Sequence, residues 1–257
     1  LVIEQAKDEK IIQPKSLLPF KLDRDQSREE VKKWVKKLWF APNKLQKAAL
    51  NFDYFKGIYI PYWTFDIDTF SDYTGQKGKY YYVKSGDKKV RKTKWYPASG
   101  SVKKFFDDIL TPATKSLPER YIKKLEPWDL ENLVPYDKSY LSGFITEKYQ
   151  VDFKDGFKEA KTIADKEIRS LVRKDIGGDT QRIQHVNTKY NDIKFKHLLL
   201  PVYVSSYNYN NKVYQFLVNA RTGEIQGQRP YSWLKIGLFI LLILVIMGTI
   251  YFFGNQQ

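Results

Sequence analysis

The 257-residue chain contains no cysteine. That excludes disulfides and thiolate metal sites in the residues present. Histidine is nearly as scarce, with only His185 and His197. Neither HxxxH nor HExxH occurs, so a zinc site would need carboxylates to complete it, and no metal site is read here. A GxxxxGK[ST] phosphate loop, a GxSxG elbow and a GxGxxG fingerprint are also missing. Gly86-Asp-Lys-Lys lacks the glycine spacing and the hydroxyl, and Gly75-Gln-Lys-Gly78 and Gly177-Gly178 read as turns. Asp66 and Asp68, two apart on a strand, could act as paired carboxylates, but they read better as charges keeping a strand edge soluble. Asp107 and Asp108 are adjacent, and on a helix they would diverge by about 100°. No catalytic set emerges, and the chain is expected not to be an enzyme. Leu1 to Lys10 has no basic region followed by an apolar run, so no signal peptide is read. The chain opens on Leu1-Val2-Ile3 without Met and is expected to be part of a longer protein.

Charge is plentiful and one-sided. Forty-four Lys and Arg against 29 Asp and Glu give a net charge of +15. Such a balance attracts polyanions, either nucleic acid or an anionic lipid surface. Lysine far outnumbers arginine, whereas reading bases favours the arginine fork. Attraction to a membrane surface, together with compositional bias, is therefore the preferred reading. Aromatic residues make up 16% of the chain, which argues for a folded protein. Tyr59, Tyr62, Trp63, Phe65, Tyr80, Tyr81, Tyr82, Trp95 and Tyr96 could stack single-stranded bases, or could form core and partner-binding surface, the reading preferred here.

One long apolar run closes the chain. From Ile236 to Phe253 it carries no charge, Pro, Asn or Gln. Eighteen residues at about 1.5 Å each span about 27 Å, close to the bilayer hydrocarbon thickness. Thirteen of them are Leu, Ile, Val or Phe, favouring insertion by roughly 4–8 kcal/mol. A transmembrane helix is expected over 234–253, followed by a short tail, 254–257. The anchor residues are Trp233, Leu234, Ile236, Leu238, Phe239, Leu241, Leu244, Ile246, Tyr251 and Phe253. Trp233 and Tyr251 suit the two headgroup boundaries. Arg221, Arg229 and Lys235 precede the run, so the positive-inside rule places the preceding domain in the cytoplasm of a single-pass cell-membrane protein. Gly237 and Gly248 lie eleven apart, so no GxxxG dimer motif is present.

The remainder reads as α+β, with two similar helix-on-antiparallel-sheet units suggesting duplication. Residues 1–15 read as a linker, 16–100 as a first unit, 101–140 as a connector and 141–230 as a second unit. In the first, Leu17 to Leu22 reads as a strand. Ser27 and Glu30 form a capping box for a helix burying Val31, Trp34, Val35, Leu38 and Trp39. Lys32, Lys33, Lys36 and Lys37 form its opposite face, a candidate surface for membrane or partner. A short helix over Lys44 to Leu50, a strand over Gly57 to Phe70, and a hairpin of Gly78 to Val83 with Val90 to Tyr96 about Ser85-Gly86-Asp87 follow. The connector holds a short basic helix near Glu119 to Lys124. The second unit has a strand at Tyr149 to Phe153, a helix over Asp155 to Lys174 stopped by Gly177-Gly178, then strands near 182–188, 196–209 and 213–220. Asn208 to Asn211 supplies a hairpin, and Thr222-Gly223 turns the chain before Glu224 to Gly227.

Several stretches together resemble one family: Leu18-Pro-Phe-Lys-Leu-Asp23, Trp39-Phe-Ala-Pro42, Gly57-Ile-Tyr-Ile-Pro-Tyr-Trp63, Phe106-Asp-Asp-Ile109, Pro127-Trp-Asp-Leu130, Leu133-Val-Pro-Tyr136, Tyr140-Leu-Ser-Gly-Phe144, Leu199-Leu-Pro-Val-Tyr203 and Val218-Asn-Ala-Arg-Thr-Gly-Glu224. The set is similar to bacterial membrane-anchored zinc-ribbon proteins often labelled primosomal-helicase-like, or as carrying a transcription-factor-B-type ribbon. The likeness implies an upstream Cys-based ribbon; no residue of this chain would hold its zinc, so no cofactor is expected within these residues. It does not support a helicase, since no nucleotide-binding motif exists. It also implies company with flotillin-like (SPFH-domain) and phage-shock-like proteins of a membrane-stress operon. The function expected on that basis is a membrane-anchored cytoplasmic scaffold or adaptor that recruits protein partners; the alternative is a membrane-tethered nucleic-acid-binding protein. Tyr214 to Gly227 is in addition similar to the last strands of PepSY-like modules.

Overall fold

The structure is a computed structural model, and it describes residues 11–48, 55–86 and 88–254. The fold is mixed α/β, with a large sheet and one long apolar C-terminal helix. In chain order the elements are β1 (Ser16–Leu17), α1 (Arg24–Lys36), α2 (Asn43–Ala48), β2 (Phe55–Ser85), β3 (Lys88–Pro112), α3 (Glu119–Ile122), β4 (Val134–Pro135), β5 (Ile145–Thr146), α4 (Phe153–Ile176), β6 (Thr180–Tyr209), β7 (Lys212–Asn219), β8 (Ile225–Gly227) and α5 (Trp233–Gly254). The chain divides into two compact units, each gathered from three separate stretches. Residues 1–17, 61–115 and 148–199 form unit 1, and residues 18–60, 116–147 and 200–257 form unit 2.

Unit 1 is a helix on a sheet in the strand order β3-β2-β6. β2 and β3 pair without interruption from Tyr62↔Pro112 to Ser85↔Lys88, apart from one bulge. α4 lays Ala160, Ala164, Ile168, Val172 and Ile176 against Trp63, Phe65, Ile67 and Phe106. Those positions repeat every four residues, which puts them on one helical face. Gly177, at φ +67°, ends the helix as the sequence leads one to expect. Tyr149 to Phe153 is not a strand: Asp152 is the N-cap residue of α4, and Phe153 is already helical.

Two further expectations fail here for one reason. Gly75 and Gly78 are not turn residues but lie inside β2, which runs unbroken through both. A Cβ at Gly75 would stand 2.4 Å from the Arg182 carbonyl oxygen, and one at Gly78 would stand 2.5 Å from the Thr180 methyl. The glycines let the neighbouring strand β6 approach closely, a use of glycine that local sequence does not separate from a turn. Likewise β3 continues to Pro112, well into the expected connector, and β6 joins two expected strands into one.

Unit 2 packs α1 and α2 against the ends of β2 and β6 and against β7 and β8. Its core joins Val31, Val35, Leu38 and Leu45 to Phe55, Tyr203, Phe216 and Val218. The N-cap of α1 is Asp23, not Ser27. The Gln26 amide donates to Asp23 Oδ1 at 2.8 Å, and the Asp23 amide donates to Gln26 Oε1 at 3.0 Å. That reciprocal pair starts the helix a full turn earlier and leaves Ser27 buried within it. β6 and β7 meet at Tyr209↔Lys212 across Asn210 and Asn211, at φ +49° and +59°. Two positive φ values at the centre of a two-residue loop are what Asn tolerates and most side chains do not.

Candidate functional site

Among the described residues, four places bring polar or exposed aromatic residues together. The first is the bulge in unit 1. Register shifts between Phe65↔Ile109 and Ile67↔Phe106, so Asp66 faces two residues, Asp107 and Asp108. These lie on a strand rather than a helix, and Asp108 takes φ +51°. The bulge draws the three carboxylates within 4.8 Å of one another, while Asp68 stands apart from them. Each inner carboxylate already has partners. Thr64 Oγ1 donates to Asp108 Oδ1 at 2.8 Å, and the Asp108 amide donates to Asp66 Oδ1 at 3.1 Å. Lys196 Nζ stands 3.5 Å from both Asp66 and Asp108. Burial alone would lower Lys196, but Asp108 and Asp66 outweigh it and push the ammonium above the usual lysine range. The Lys196 ammonium thus balances part of this acidic cluster.

The second place is a buried lock in unit 2. The Arg221 Nε donates to both oxygens of Asp129, at 2.9 and 3.0 Å, and its Nη1 donates to the Pro19 carbonyl at 3.2 Å. The Asn219 side-chain amide donates to the Leu125 carbonyl at 2.8 Å, while its oxygen accepts from the Arg221 amide at 2.8 Å. Hydrogen bonding from Arg221 holds the Asp129 carboxyl below its ordinary value. The segments around Pro19, Asp129 and Arg221, far apart in sequence, therefore meet in one network. Arg221, an expected orientation charge ahead of the apolar run, is paired with Asp129 within unit 2.

The third is the far part of the β2–β3 ribbon. Between Lys77 and Tyr96 it carries eight Lys or Arg and, among the described residues, no acid. Lys79 stands opposite Lys94, and Lys84 opposite Lys89. Like charges in register weaken a ribbon, so this arrangement has a standing electrostatic cost that an anionic partner would relieve. Tyr80, Tyr81, Tyr82 and Tyr96 are exposed among these cations. Arg91 lies over Tyr80 at 4.3 Å, and Arg182 covers Trp95 at 4.0 Å. The sequence-predicted aromatic set thus divides. Tyr59, Tyr62, Trp63 and Phe65 are core, and the tyrosines beyond Lys79 are surface.

The fourth is the foot of α5. The helix is long and apolar enough to cross a membrane, over Trp233–Tyr251. Leu234, Leu238, Phe239, Leu241, Leu244, Ile246 and Tyr251 are exposed along it, Ile236 is half-buried, and the side chain of Phe253 lies outside the described residues. Lys235 Nζ donates to the carbonyls of Trp39 at 3.3 Å and Ala41 at 2.8 Å. The Ser232 amide donates to the Phe40 carbonyl at 2.7 Å, and the Phe40 and Phe239 rings meet edge-on at 5.4 Å. Those carbonyls follow the C-terminus of α1, where the helix dipole favours a cation. Trp39 departs from the expectation that it faces the core: α1 stops at Lys36, and Trp39, beyond it, is 80% exposed. On α1 itself, Lys32 pairs with Glu29 at 2.5 Å and Lys33 with Glu30 at 2.7 Å. Lys36 and Lys37 are exposed and have no ion-pair partner among the described residues. Arg229 lines an open cleft of about 710 Å³ with Arg120, Lys124 and Glu224, its guanidinium 5.4 Å above the Tyr231 ring.

No protein-family model matches the chain. It is similar to the uncharacterized protein YdjG of Bacillus subtilis (strain 168), at 27% identity over 226 residues. That alignment covers 87% of this chain and 65% of the relative, so the chain spans just under two thirds of that protein's length. No solved structure matches.

Proposed function

We propose that this protein is a membrane-anchored, non-enzymatic scaffold that recruits protein partners to the cytoplasmic face of the membrane. The observation that carries the reading is the far part of the β2–β3 ribbon, densely cationic and studded with exposed tyrosines. Tyrosine supplies contact area at low entropic cost, and the unbalanced lysines select an acidic surface. α5 supplies location, and Arg229 and Lys235 ahead of it favour an N-terminal side in the cytoplasm. The flotillin-like or phage-shock-like proteins implied by the sequence likeness are the first partners to test, and a zinc ribbon upstream would be a separate recruiting module. The amphipathic helices α1 and α4, one in each half of the sequence and each packed on strands, support descent from a duplicated ancestor.

A second reading, tethered nucleic-acid binding, draws on the same tyrosines, since cation-flanked rings also stack bases. The two separate in a pull-down of the full chain from detergent-solubilised membranes, alongside a variant with Lys79, Lys92 and Lys94 changed to Glu. The scaffold reading expects a co-purifying protein that the ribbon variant loses. Tight nucleic-acid binding at physiological salt, falling steeply as salt rises, would overturn it.

A further inference from the structure

We infer that the turn between α1 and α2, centred on Trp39, is a second membrane contact: it enters the headgroup layer beside α5 and holds unit 2 against the bilayer. The inference rests on the reading of α5 as a membrane span. The geometry behind it is the foot of α5. Three successive carbonyls, of Trp39, Phe40 and Ala41, are each bonded to Ser232 or Lys235. The turn is therefore fastened to the helix at a fixed height. Phe40 fixes that height further, because its ring meets Phe239, six residues past Trp233. Six residues of helix rise about 9 Å. A bilayer that covers the apolar span from Trp233 onward thus reaches the level of the turn.

The exposed chemistry of the turn fits that layer. Trp39 is 80% exposed, close to the 81% of Trp233 on the helix itself. An indole has an apolar body and one N–H, the combination that favours the boundary between acyl chains and headgroups. Lys36 and Lys37, just before it, are exposed cations suited to anionic lipid phosphates. Lys235, which would otherwise be carried into that layer with its charge bare, has two carbonyls around it. The occupant of this surface is accordingly an anionic phospholipid leaflet. Its consequence is mechanical. A single helix alone leaves a domain free to swing, whereas a helix with a fixed aromatic wedge beside it sets the domain's tilt.

The chain has no cysteine, so single thiols can be placed at will. Trp39→Cys and Leu244→Cys versions of the 257-residue chain, each labelled with an environment-sensitive NBD fluorophore, are reconstituted into phosphatidylcholine–phosphatidylglycerol vesicles. Lipid nitroxides near the headgroup quench the label at position 39, and aqueous iodide does not. The label at 244 responds to nitroxides deep in the acyl region. Free iodide quenching at 39 with normal deep quenching at 244 overturns the wedge and leaves the anchor standing. Loss of lipid quenching at 244 overturns the anchor and the wedge with it. Shielding at 39 from both quenchers assigns Trp39 to a protein contact and also overturns the wedge. A second variant, Lys36→Glu with Lys37→Glu, keeps the fold and weakens headgroup quenching at 39 in anionic vesicles but not in neutral ones. Equal quenching in both vesicle types for this variant and the parent refutes the role of anionic lipid.

Discussion

Replacing Arg221 with Ala removes the centre of the network that joins the Pro19, Asp129 and Asn219 segments. The guanidinium bonds both oxygens of Asp129 through Nε, bonds Asp129 again through Nη2, and bonds the Pro19 carbonyl through Nη1. The two side chains are 10% and 23% exposed, so the pair is largely withdrawn from water. Removing one partner of a fully buried pair costs about 3–5 kcal/mol, because the other charge is left without compensation. Asp129 keeps some contact with water and can be partly resolvated, which lowers the expected cost to about 2–4 kcal/mol. Urea unfolding of the full chain in mild detergent, followed by tryptophan fluorescence, measures it. Arg221→Lys should recover little, since an ammonium cannot span both carboxylate oxygens and the carbonyl together. Arg221→Met combined with Asp129→Leu should recover more than Arg221→Lys does, since no charge is then stranded. A loss below about 0.5 kcal/mol for Arg221→Ala would put the pair among ordinary surface ion pairs and refute the argument.

Other outcomes follow from the same geometry. Gly75→Ala forces a methyl to within 2.4 Å of the Arg182 carbonyl oxygen and should destabilise the protein by about 1–3 kcal/mol in the same urea assay. His197 is buried in unit 1, with Nδ1 bonded to the Ile12 carbonyl at 2.8 Å; burial lowers its pKa, and the Ile12 bond opposes this only in part. The unfolded chain therefore takes up a proton there before the native one does, so stability falls as pH drops below the ordinary imidazole value, and His197→Phe should flatten that stretch of the pH–stability curve. Asp129 behaves similarly at lower pH: its carboxyl sits below its ordinary value in the native state, so its contribution is full above the unfolded carboxylate pKa and fades as pH falls through the native one, a fade that Arg221→Ala should abolish.

The sequence was most legible where one residue pattern had one structural outcome. The apolar run of α5, the inward face of α4 with its Gly177 stop, and the Asn210-Asn211 hairpin are all set by local period or by positive φ. It was less legible where a distant neighbour decided the matter. Gly75 and Gly78 look like turn glycines until β6 is seen against them. Ser27 makes a good capping box on paper, but Asp23 and Gln26 make an earlier one. Trp39 has the right spacing for the buried face of α1, yet the helix ends three residues before it. Asp66, Asp107 and Asp108 come together only through a bulge that shifts register by one residue, which no spacing rule anticipates. Arg221 stands out in the sequence only for its charge ahead of the apolar run, while its partner Asp129 lies 92 residues away.

The account stands most directly on what touches the ribbon in a living membrane. A photo-crosslinking residue in place of Tyr81, whose ring is exposed among the lysines, answers that in cells. The account predicts a covalent adduct with an acidic protein in the membrane fraction, abolished when residues 233–257 are removed. An adduct with RNA or DNA, or an adduct that persists without α5, would contradict it.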